Sequence, residues 1–595
     1  MVERIVRDGT PACPGIVVGP AHVVAWDRRR VPHQTIPADR VEEEIQRFEE
    51  AREATRRRIK AIQEETAERL GKVEAQIFEP QLMMVDDADL IGDVESYISE
   101  NRISAARALE LRMLEFQAQW RETGHPMVMD RLNDLVDVET RMVRYLLGVD
   151  DLDGVLAGID RPVVLVGKEL TPSITVQLDP AMVLGLATDA GTRTSHSAIL
   201  ARALDIPAVV GLGDFSTSIG DGDPVILDGR AGRVIANPTD VEVQKYEERG
   251  VRSREWEKEL AESVHLDAVT QDRQAVVLRA NIDLPGESAR AREVGAQGVG
   301  LFRTEFLVVG RQSMPEEDLQ YQAYRQVAET FPHQAVVIRT FDLGGDKFPL
   351  FLDMPAEENP YLGWRAIRVC LDRPELFRTH LRAMLRATAH GDVRIMMPLI
   401  NDPQELQEAR QILEEEEHRL DVEGVPYNPG YKVGVMIETP AAALVAPELA
   451  RYADFFSIGT NDLTQYTLAV DRNNARLASR FTPFHPAVVG LMRRTVEAGR
   501  RAGLEVSVCG ELAANPLGVY LLIGLGVSVL SVAPSALPEI KRVVRAITAA
   551  EARGRVEEVL EAPDADSARR VLTDGLSRWL DLSMFSARWN LSHSE

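Results

Sequence analysis

Cysteine is scarce in this chain: Cys13, Cys370 and Cys509 are the three in 595 residues. Three thiols cannot build a disulfide framework, so the chain reads as made in a reducing compartment. Long apolar runs are missing as well. No stretch of about 20 apolar residues occurs, which argues against a membrane-spanning helix. The opening Met1-Val-Glu-Arg-Ile-Val-Arg-Asp8 lacks the apolar core of a secretion signal. A cytoplasmic protein with no membrane partner is the expectation. Positive charge is also short, with 68 Lys and Arg against 93 Asp and Glu, a formal net charge of −25. Phosphate backbones demand a basic surface, so nucleic acid is excluded as a general partner. A basic protein partner suits such a chain better. The remaining composition, 27% charged and 45% hydrophobic, is that of a folded protein. The length allows about four domains, or fewer if one is a large barrel, and is ample to bury a core without staples.

The texture of the chain changes several times. Gly15–Gly19 and Ala21–Ala25 are β-like runs flanked by turn residues. After Asp39, Val41, Ile45, Phe48, Ile59 and Ile62 repeat near helical spacing, and helical patterns continue through Asp89–Ile98 and Ser104–Trp120 to about Gly148. This block reads as an antiparallel bundle. Pro162–Gly167, Ala181–Gly185, Pro207–Gly211 and Pro224–Asp228 then resemble buried strands, with a short helix over Ser197–Leu204. They match the N-terminal strands in texture, so the bundle reads as an insertion. Residues 239–265 are dense in Glu and Arg and read as a solvated helical connector of about 40 Å, with Gly250 as its kink or hinge.

From Ala275 eight apolar runs alternate with helical patterns such as Pro374–His390 and Pro403–Arg419: Val276–Ile282, Val299–Phe302, Val336–Ile338, Val393–Met397, Val433–Ile437, Phe455–Ile458, Val506–Val508 and Val527–Val532. Eight strand–helix units over about 300 residues are what a (β/α)8 barrel needs, and such a barrel keeps its chemistry at the C-terminal ends of its strands. The residues just past those runs are Arg303-Thr-Glu305, Arg339-Thr-Phe-Asp342, Glu438, Gly459-Thr-Asn461-Asp462 with Arg472 nearby, and Cys509-Gly-Glu511. Arginines bind multivalent anions by forked hydrogen bonds. Carboxylates on different strands, such as Glu438 and Asp462, can hold a Mg2+ that also binds substrate oxygens. A free thiol titrates near about 8.5 and so carries a proton at neutral pH. The set suits a small phosphorylated carboxylic acid, although any single member could equally cap a helix or pair at the surface.

A second constellation is Gly191-Thr-Arg-Thr-Ser-His196-Ser197-Ala198, between a strand and an apolar helix start. Ser195 or Thr194 could cap the helix, and the free N–H groups of a helix N-terminus favour an anion. His196 could accept a phosphoryl group on a ring nitrogen there. By spacing alone it could as well be an incidental member of a capping turn.

Taken together, these segments resemble a known family. Thr188-Asp-Ala-Gly-Thr-Arg-Thr-Ser-His-Ser-Ala-Ile199 with Pro207-Ala-Val-Val-Gly211 is similar to the phosphohistidine segment of the phosphoenolpyruvate (PEP)-utilising enzymes, which include enzyme I, pyruvate phosphate dikinase and PEP synthase. Leu301–Leu307, Ile338–Lys347, Asn359–Arg368, Met436–Pro440, Gly459–Gln465 and Cys509–Ala513 resemble the PEP barrel of that family, in family order across nearly the whole chain. The helical block has neither the length of an ATP-grasp domain nor a Gly-rich nucleotide loop, which points to the PEP–protein phosphotransferase branch, enzyme I of the sugar phosphotransferase system.

The resemblance implies a multidomain α/β protein: an α/β phosphohistidine (swivelling) domain over 1–30 and 152–238, an inserted helical HPr-binding domain over 31–151, a helical linker over 239–267, and a PEP-binding (β/α)8 TIM barrel over 268–595 that also forms a homodimer. It implies that His196 is phosphorylated through Nε2, with Thr175 supporting its ring. Arg303 and Arg339 would hold phosphate. Arg472 with Asn461 would bind carboxylate or phosphate, and Arg365 and Lys347 would be further anion contacts. Glu438 and Asp462 would ligate Mg2+, and Cys509 would protonate the enolate carbon. The implied activity moves the phosphoryl group of PEP to His196 and then to a histidine of HPr, releasing pyruvate. Phe78–Asp87 in the bundle mixes apolar and acidic groups, as a docking face for HPr should. Alternatives are a nitrogen-regulatory paralogue, an ATP-coupled synthase or dikinase relative, and a non-catalytic PEP sensor. Several positions depart from the family pattern: Thr192 and Asn473 stand where Gly is usual, Ile174 where Asp is usual, Cys13 where Ser is usual, and Pro80-Gln81 where a small residue and His are usual.

Overall fold

The computed structural model describes residues 4–24, 31–69, 75–123, 126–148, 159–170, 174–175, 178–192, 195–308, 313–344, 357–472, 474 and 476–585. The chain divides into two compact units, and the boundary falls after Trp256. Among the described residues no helix is long and apolar enough to cross a membrane. Lys347 and Asn473 lie outside the described residues.

The first unit is built on one sheet of eight strands. β1 (Ile5–Asp8), β2 (Thr10–Cys13) and β3 (Ile16–Val24) precede the helical insertion, and β4 (Val163–Gly167), β5 (Val183–Thr188), β6 (Ala208–Val210), β7 (Pro224–Asp228) and β8 (Arg233–Ala236) follow it. Their order is β1-β8-β7-β3-β4-β5-β6-β2. Strands β3 to β6 run parallel, while β7, β8 and β1 on one side and β2 on the other add antiparallel pairs. Parallel strands covered on both faces read as unbroken apolar runs, and β4 and β6 are buried throughout. β5 begins two residues later than its run does, because Asp179 accepts a 2.9 Å hydrogen bond from the Ala181 N–H and holds a turn there.

The insertion consists of helices Val41–Arg69, Glu79–Val85, Ala88–Asn101, Ala105–Thr123 and Pro126–Leu146. Their helical periodicity is the burial pattern: Phe48, Ile59, Ile62, Val94, Ile98, Leu109 and Val138 are buried in one cluster, with Val41 and Ile45 packed on it. Asp87 caps the third of these helices by accepting from the Leu90 N–H at 2.8 Å. Within Phe78–Asp87, Phe78, Gln81 and Val85 face inward. Gln81 donates to Asp134 and Asp137 at 3.2 Å each, so it is a buried strut and not part of a docking face. Met83, 75% exposed, is presented to solvent together with Glu79, Asp86 and Asp87.

The connector departs from its expected character. Helix Asp240–Ser263 runs without a break through Gly250. Tyr246 joins Ile16, Ile226 and Ile235 in a buried cluster. Arg249 pairs with Asp228 at 3.2 Å and Arg4 with Glu242 at 2.5 Å. A Cβ on Gly250 would stand 3.3 Å from the Ile16 carbonyl oxygen, so glycine serves a close approach here and not a hinge. About the first three turns of the helix therefore belong to the sheet. The sparse apolar content misled because one tyrosine and two arginines suffice to dock them.

In the second unit all eight expected strands are present: β9 (Val277–Ile282), β10 (Val299–Phe302), β11 (Val336–Arg339), β12 (Val393–Met397), β13 (Lys432–Ile437), β14 (Phe455–Ile458), β15 (Glu505–Val508) and β16 (Val529–Val532). They close into a parallel barrel in sequence order, with β16 paired back onto β9. The lumen is layered. At the N-terminal ends Arg279 forks onto Glu505 at 2.7 and 3.0 Å, and Arg394 reaches Glu505 at 3.0 Å and Asp392 at 2.7 Å. Above them Leu301, Val337, Met396, Met436, Phe455 and Cys509 form an apolar plug.

Burial opposes ionisation of Glu505, but Arg279 and Arg394 outweigh it and hold its pKa below the ordinary 4.5. A carboxylate with a depressed folded-state pKa stabilises above its unfolded pKa and loses that contribution as pH falls. Glu505→Gln should therefore cost about 2 kcal/mol at pH 7, since it takes the carboxylate from buried Arg279 and leaves Arg394 with Asp392. The gap between variant and parent in chemical denaturation should hold down to about pH 5 and close below 4.5. A gap that widened on acidification would contradict this account.

Candidate functional site

The barrel mouth holds a cavity of about 710 Å³ whose wall includes Arg303, Arg339, Glu438, Asn461, Asp462, Arg472 and Cys509. Seven residues expected from five strand ends thus meet in one place. Arg303 follows β10, Arg339 ends β11, Glu438 follows β13, Asn461 and Asp462 open the helix Thr460–Leu468 after β14, and Cys509 follows β15. Two glycines let these ends crowd together. A Cβ on Gly510 would stand 1.9 Å from Thr460 Oγ1, and one on Gly459 would stand 2.9 Å from Glu438 Oε2.

The charges are interleaved. Arg339 is buried and reaches Glu305 at 3.0 Å and Asp342 at 3.1 Å. Burial works against its charge, but Glu305, Asp342, Glu438 and Asp462 outweigh it and raise its pKa well above the ordinary guanidinium value. Arg303 pairs with Asp283 at 2.7 Å in a half-exposed position. Arg365 stands behind the wall and does not line the cavity: it forks onto Asp342 at 2.8 and 3.0 Å and donates to the Tyr466 hydroxyl at 2.9 Å. Its place is to fix Asp342, which in turn holds Arg339. Asp283, Glu305 and Asp342 were not among the residues expected at the site. Glu305 and Asp342 lie inside the quoted strand-end motifs, so their signal was present. The end of the first strand gave none for Asp283.

Glu438 Oε1 accepts from the Leu399 N–H at 2.7 Å. Leu399 has φ of +55°, a left-handed conformation that is strained for leucine. Burial first, then Asp462 and Asp342, push the Glu438 carboxyl well above the usual carboxylate range, against the pull of Arg339 and Arg365. Asp462 Oδ1 is buried with no hydrogen bond, and its nearest guanidinium nitrogens are 3.8 Å (Arg472) and 3.9 Å (Arg365) away. Among the described residues no group of three His, Cys, Asp or Glu side chains is disposed to hold a metal. The Glu438–Asp462 pair, with one orphaned oxygen, is the donor set Mg2+ accepts when substrate and water complete its shell. Charge also calls for a cation: six carboxylates, Asp283, Glu305, Asp342, Glu438, Asp462 and Glu511, line the cavity against three arginines.

Cys509 is 4% exposed and directs its thiol at the Ile458 carbonyl at 3.8 Å. Burial pushes it up to about 11, so it is held as a thiol. Its backbone carbonyl accepts from Asn281 Nδ2 at 2.8 Å, and Asn281 is fixed by Ser531 at 2.6 Å.

The histidine segment belongs to the first unit. His196 opens the helix His196–Ala203, and Ser195 is its N-cap residue with extended φ and ψ. The Ser195 hydroxyl does not cap the helix. It donates to the Thr192 carbonyl at 2.8 Å, and no side-chain cap hydrogen bond forms. Gly191, with φ of +115°, makes the turn that brings this loop round. The helix is pinned on two sides: Ala198 and Ala201 join the apolar cluster that contains Ile174, and Leu200 joins the core of the helical insertion. Ile174 is thus a packing residue, which accounts for an apolar side chain there. Thr175 beside it is fully buried. The side chains of His196 and Thr194 lie outside the described residues.

Three family models match the chain: the PEP-utilising enzyme N-terminal region over residues 8–131, the mobile domain over 159–232 and the PEP-binding domain over 257–549. Curated relatives include the phosphoenolpyruvate-protein phosphotransferase of Geobacillus stearothermophilus, 40% identical over 558 residues, or 94% of this chain and 96% of that protein. The protein of the same name from Haemophilus influenzae is 38% identical over 568 residues, covering 96% and 98%. That of Listeria monocytogenes is 38% identical over 562 residues, covering 94% and 97%.

The geometry around the thiol sets its reactivity. With Cys509 held near 11, its thiolate fraction at pH 8 is some two orders of magnitude below that of a free cysteine. Iodoacetamide should label Cys509 in the folded chain at least about 100-fold more slowly than free cysteine. Peptide mapping of a timed reaction measures this, and labelling at the free-cysteine rate would contradict it.

Proposed function

The chain belongs to the phosphoenolpyruvate-protein phosphotransferase family of the PEP-utilising enzymes, and from that premise we propose that it takes the phosphoryl group of PEP onto Nε2 of His196 and passes it to a histidine of the carrier protein HPr, releasing pyruvate. The observation that carries this reading is the barrel mouth, where arginines for an oxyanion, a carboxylate pair for a divalent cation and a protonated thiol line one cavity.

The roles follow from the surroundings of each group. Arg303 and Arg339 take the phosphate of PEP. Arg303 is free to turn to substrate by exchanging Asp283, a solvent-facing partner. Arg472 and Asn461 hold the carboxylate end. Glu438 and Asp462 would hold Mg2+, which supplies neutralisation of phosphate and carboxylate charge. Neutral His196 then attacks phosphorus in line; the bond from phosphorus to the enol oxygen breaks, a phosphorus–nitrogen bond forms and pyruvate enolate remains. The protein contributes mainly positioning and charge. Cys509 donates its proton to C3 of the enolate, a stronger base than the thiolate left behind. Asn281 and Ser531, by holding the Cys509 carbonyl, set the position of the thiol. The helix N-terminus that His196 opens, free of a side-chain cap, is suited to a phosphoryl anion.

The reading assigns PEP binding and homodimer formation to the barrel unit, HPr docking to the helical insertion, and a cytoplasmic setting in which the three buried thiols stay reduced. His196 must meet the barrel in one state and the carrier in another, which requires domain motion. Because residues up to Arg249 are docked on the sheet, the pivot falls in the later part of the 240–263 helix or beyond.

Incubation with labelled PEP and Mg2+ should place acid-labile phosphate on His196 alone. His196→Ala should abolish labelling and carrier phosphorylation. Cys509→Ser should slow pyruvate release by at least tenfold while leaving transfer from phospho-His196 to HPr intact. Label on another residue would overturn the role of His196, and loss of the second transfer in the Cys509 variant would overturn that of the thiol.

A further inference from the structure

The barrel carries another cavity, of about 390 Å³, at the end opposite the mouth, among the segments that lead into β9, β10 and β11. Its wall includes His265, Asp267, Arg292, Gln297, His333 and Lys541. Lys541, from the helix Leu537–Ala546, is 4% exposed and donates to the Val264 carbonyl. Among the described residues its ammonium forms no ion pair. Arg292 donates to the Thr330 carbonyl at 3.4 Å and likewise has no ion pair among them.

Among the described residues of the barrel the other buried cations are paired. The buried Arg279, Arg339, Arg365 and Arg394 each meet a carboxylate within 3.0 Å, and the whole chain carries a net charge of −25. A buried cation without a carboxylate is costly unless something anionic comes to it. Burial lowers the Lys541 pKa; Asp267 opposes that and Arg545 adds to it. Asp267 is the one carboxylate among the residues that line the wall, and the rings of His265 and His333 add hydrogen-bonding nitrogens.

We propose that this cavity is a second anion site, which takes a small oxyanion of at least two negative charges, either a phosphate monoester or a polycarboxylate, between Lys541 and Arg292. Gln297, whose side chain accepts from the Leu278 N–H at 3.1 Å, fixes the wall to the base of β9. The mouth lies at the other end of the strands, so both sites can be filled at once. The site is separate from the phosphotransfer reading and does not depend on it.

Calorimetric titration of the full chain with inorganic phosphate, and separately with citrate, tests it. Two classes of site are expected, one at the mouth and one here. Arg292→Gln should weaken one class at least tenfold and Lys541→Met should remove it, with self-phosphorylation from PEP unchanged in both. Arg303→Gln should affect the other class alone. Tighter phosphate binding in the Lys541 class assigns a phosphate ester, and tighter citrate binding a polycarboxylate. A single class of site that Arg303→Gln removes and Arg292→Gln leaves intact would overturn the proposal. Arg292 is exposed, so its variant remains informative even if Lys541→Met fails to fold. Failure of the phosphotransfer reading would appear separately, as absent self-phosphorylation with both classes of site retained.

Discussion

Neighbouring strands of a closed parallel barrel sit about 4.8 Å apart, and here that spacing forces Glu438 and Asp462, at the ends of β13 and β14, into one buried corner. Two like charges so placed cannot both be comfortable without help. The help that the fold supplies is partial: a backbone N–H from Leu399 to one carboxylate, and guanidinium groups nearly 4 Å from the other. Much of the surrounding architecture answers that crowding. Arg339 and Arg365 are drawn in to offset it, and being buried themselves they need Glu305 and Asp342 beside them. The result is an alternating lattice of charge that is rigid because no member can leave alone.

The two ends of the barrel use the same residue types to opposite effect. At the N-terminal ends Arg279, Arg394, Glu505 and Asp392 pair with one another, and of their buried polar atoms Arg279 Nε alone is without a partner. At the C-terminal ends the counts do not match, an aspartate oxygen is orphaned and a thiol is held protonated. A closed ionic set serves stability, whereas an open one invites a ligand, in keeping with the division of labour along barrels of this kind. The apolar plug between them keeps the two fields apart.

How legible each part was in the sequence follows from which force made it. The eight barrel strands were legible because burial on both faces turns a parallel strand into a continuous apolar run. The motifs past those runs were legible because the barrel sends every strand end to one rim. β1, β2 and β8 were not: each is four residues long and carries polar or proline residues in antiparallel pairings at or beside the sheet edges. Gln81 looked like surface because its partners Asp134 and Asp137 lie more than fifty positions away. Arg365 entered through the family resemblance alone, and a motif does not tell that its guanidinium is forked onto Asp342.

The helical insertion leaves the sheet after β3 and returns at β4, its immediate parallel neighbour, so an entire bundle serves as one crossover connection. During synthesis this imposes a schedule. β1 and β3 emerge early but find their partners β8, β7 and β4 only after the bundle has left the ribosome. The bundle, whose contacts are mostly local, can condense first, while the first strands wait as exposed apolar ribbon. Nascent chains stalled between the last helix of the bundle and β8 would therefore carry a finished helical core attached to an unpaired edge, the form of this protein most in need of a chaperone.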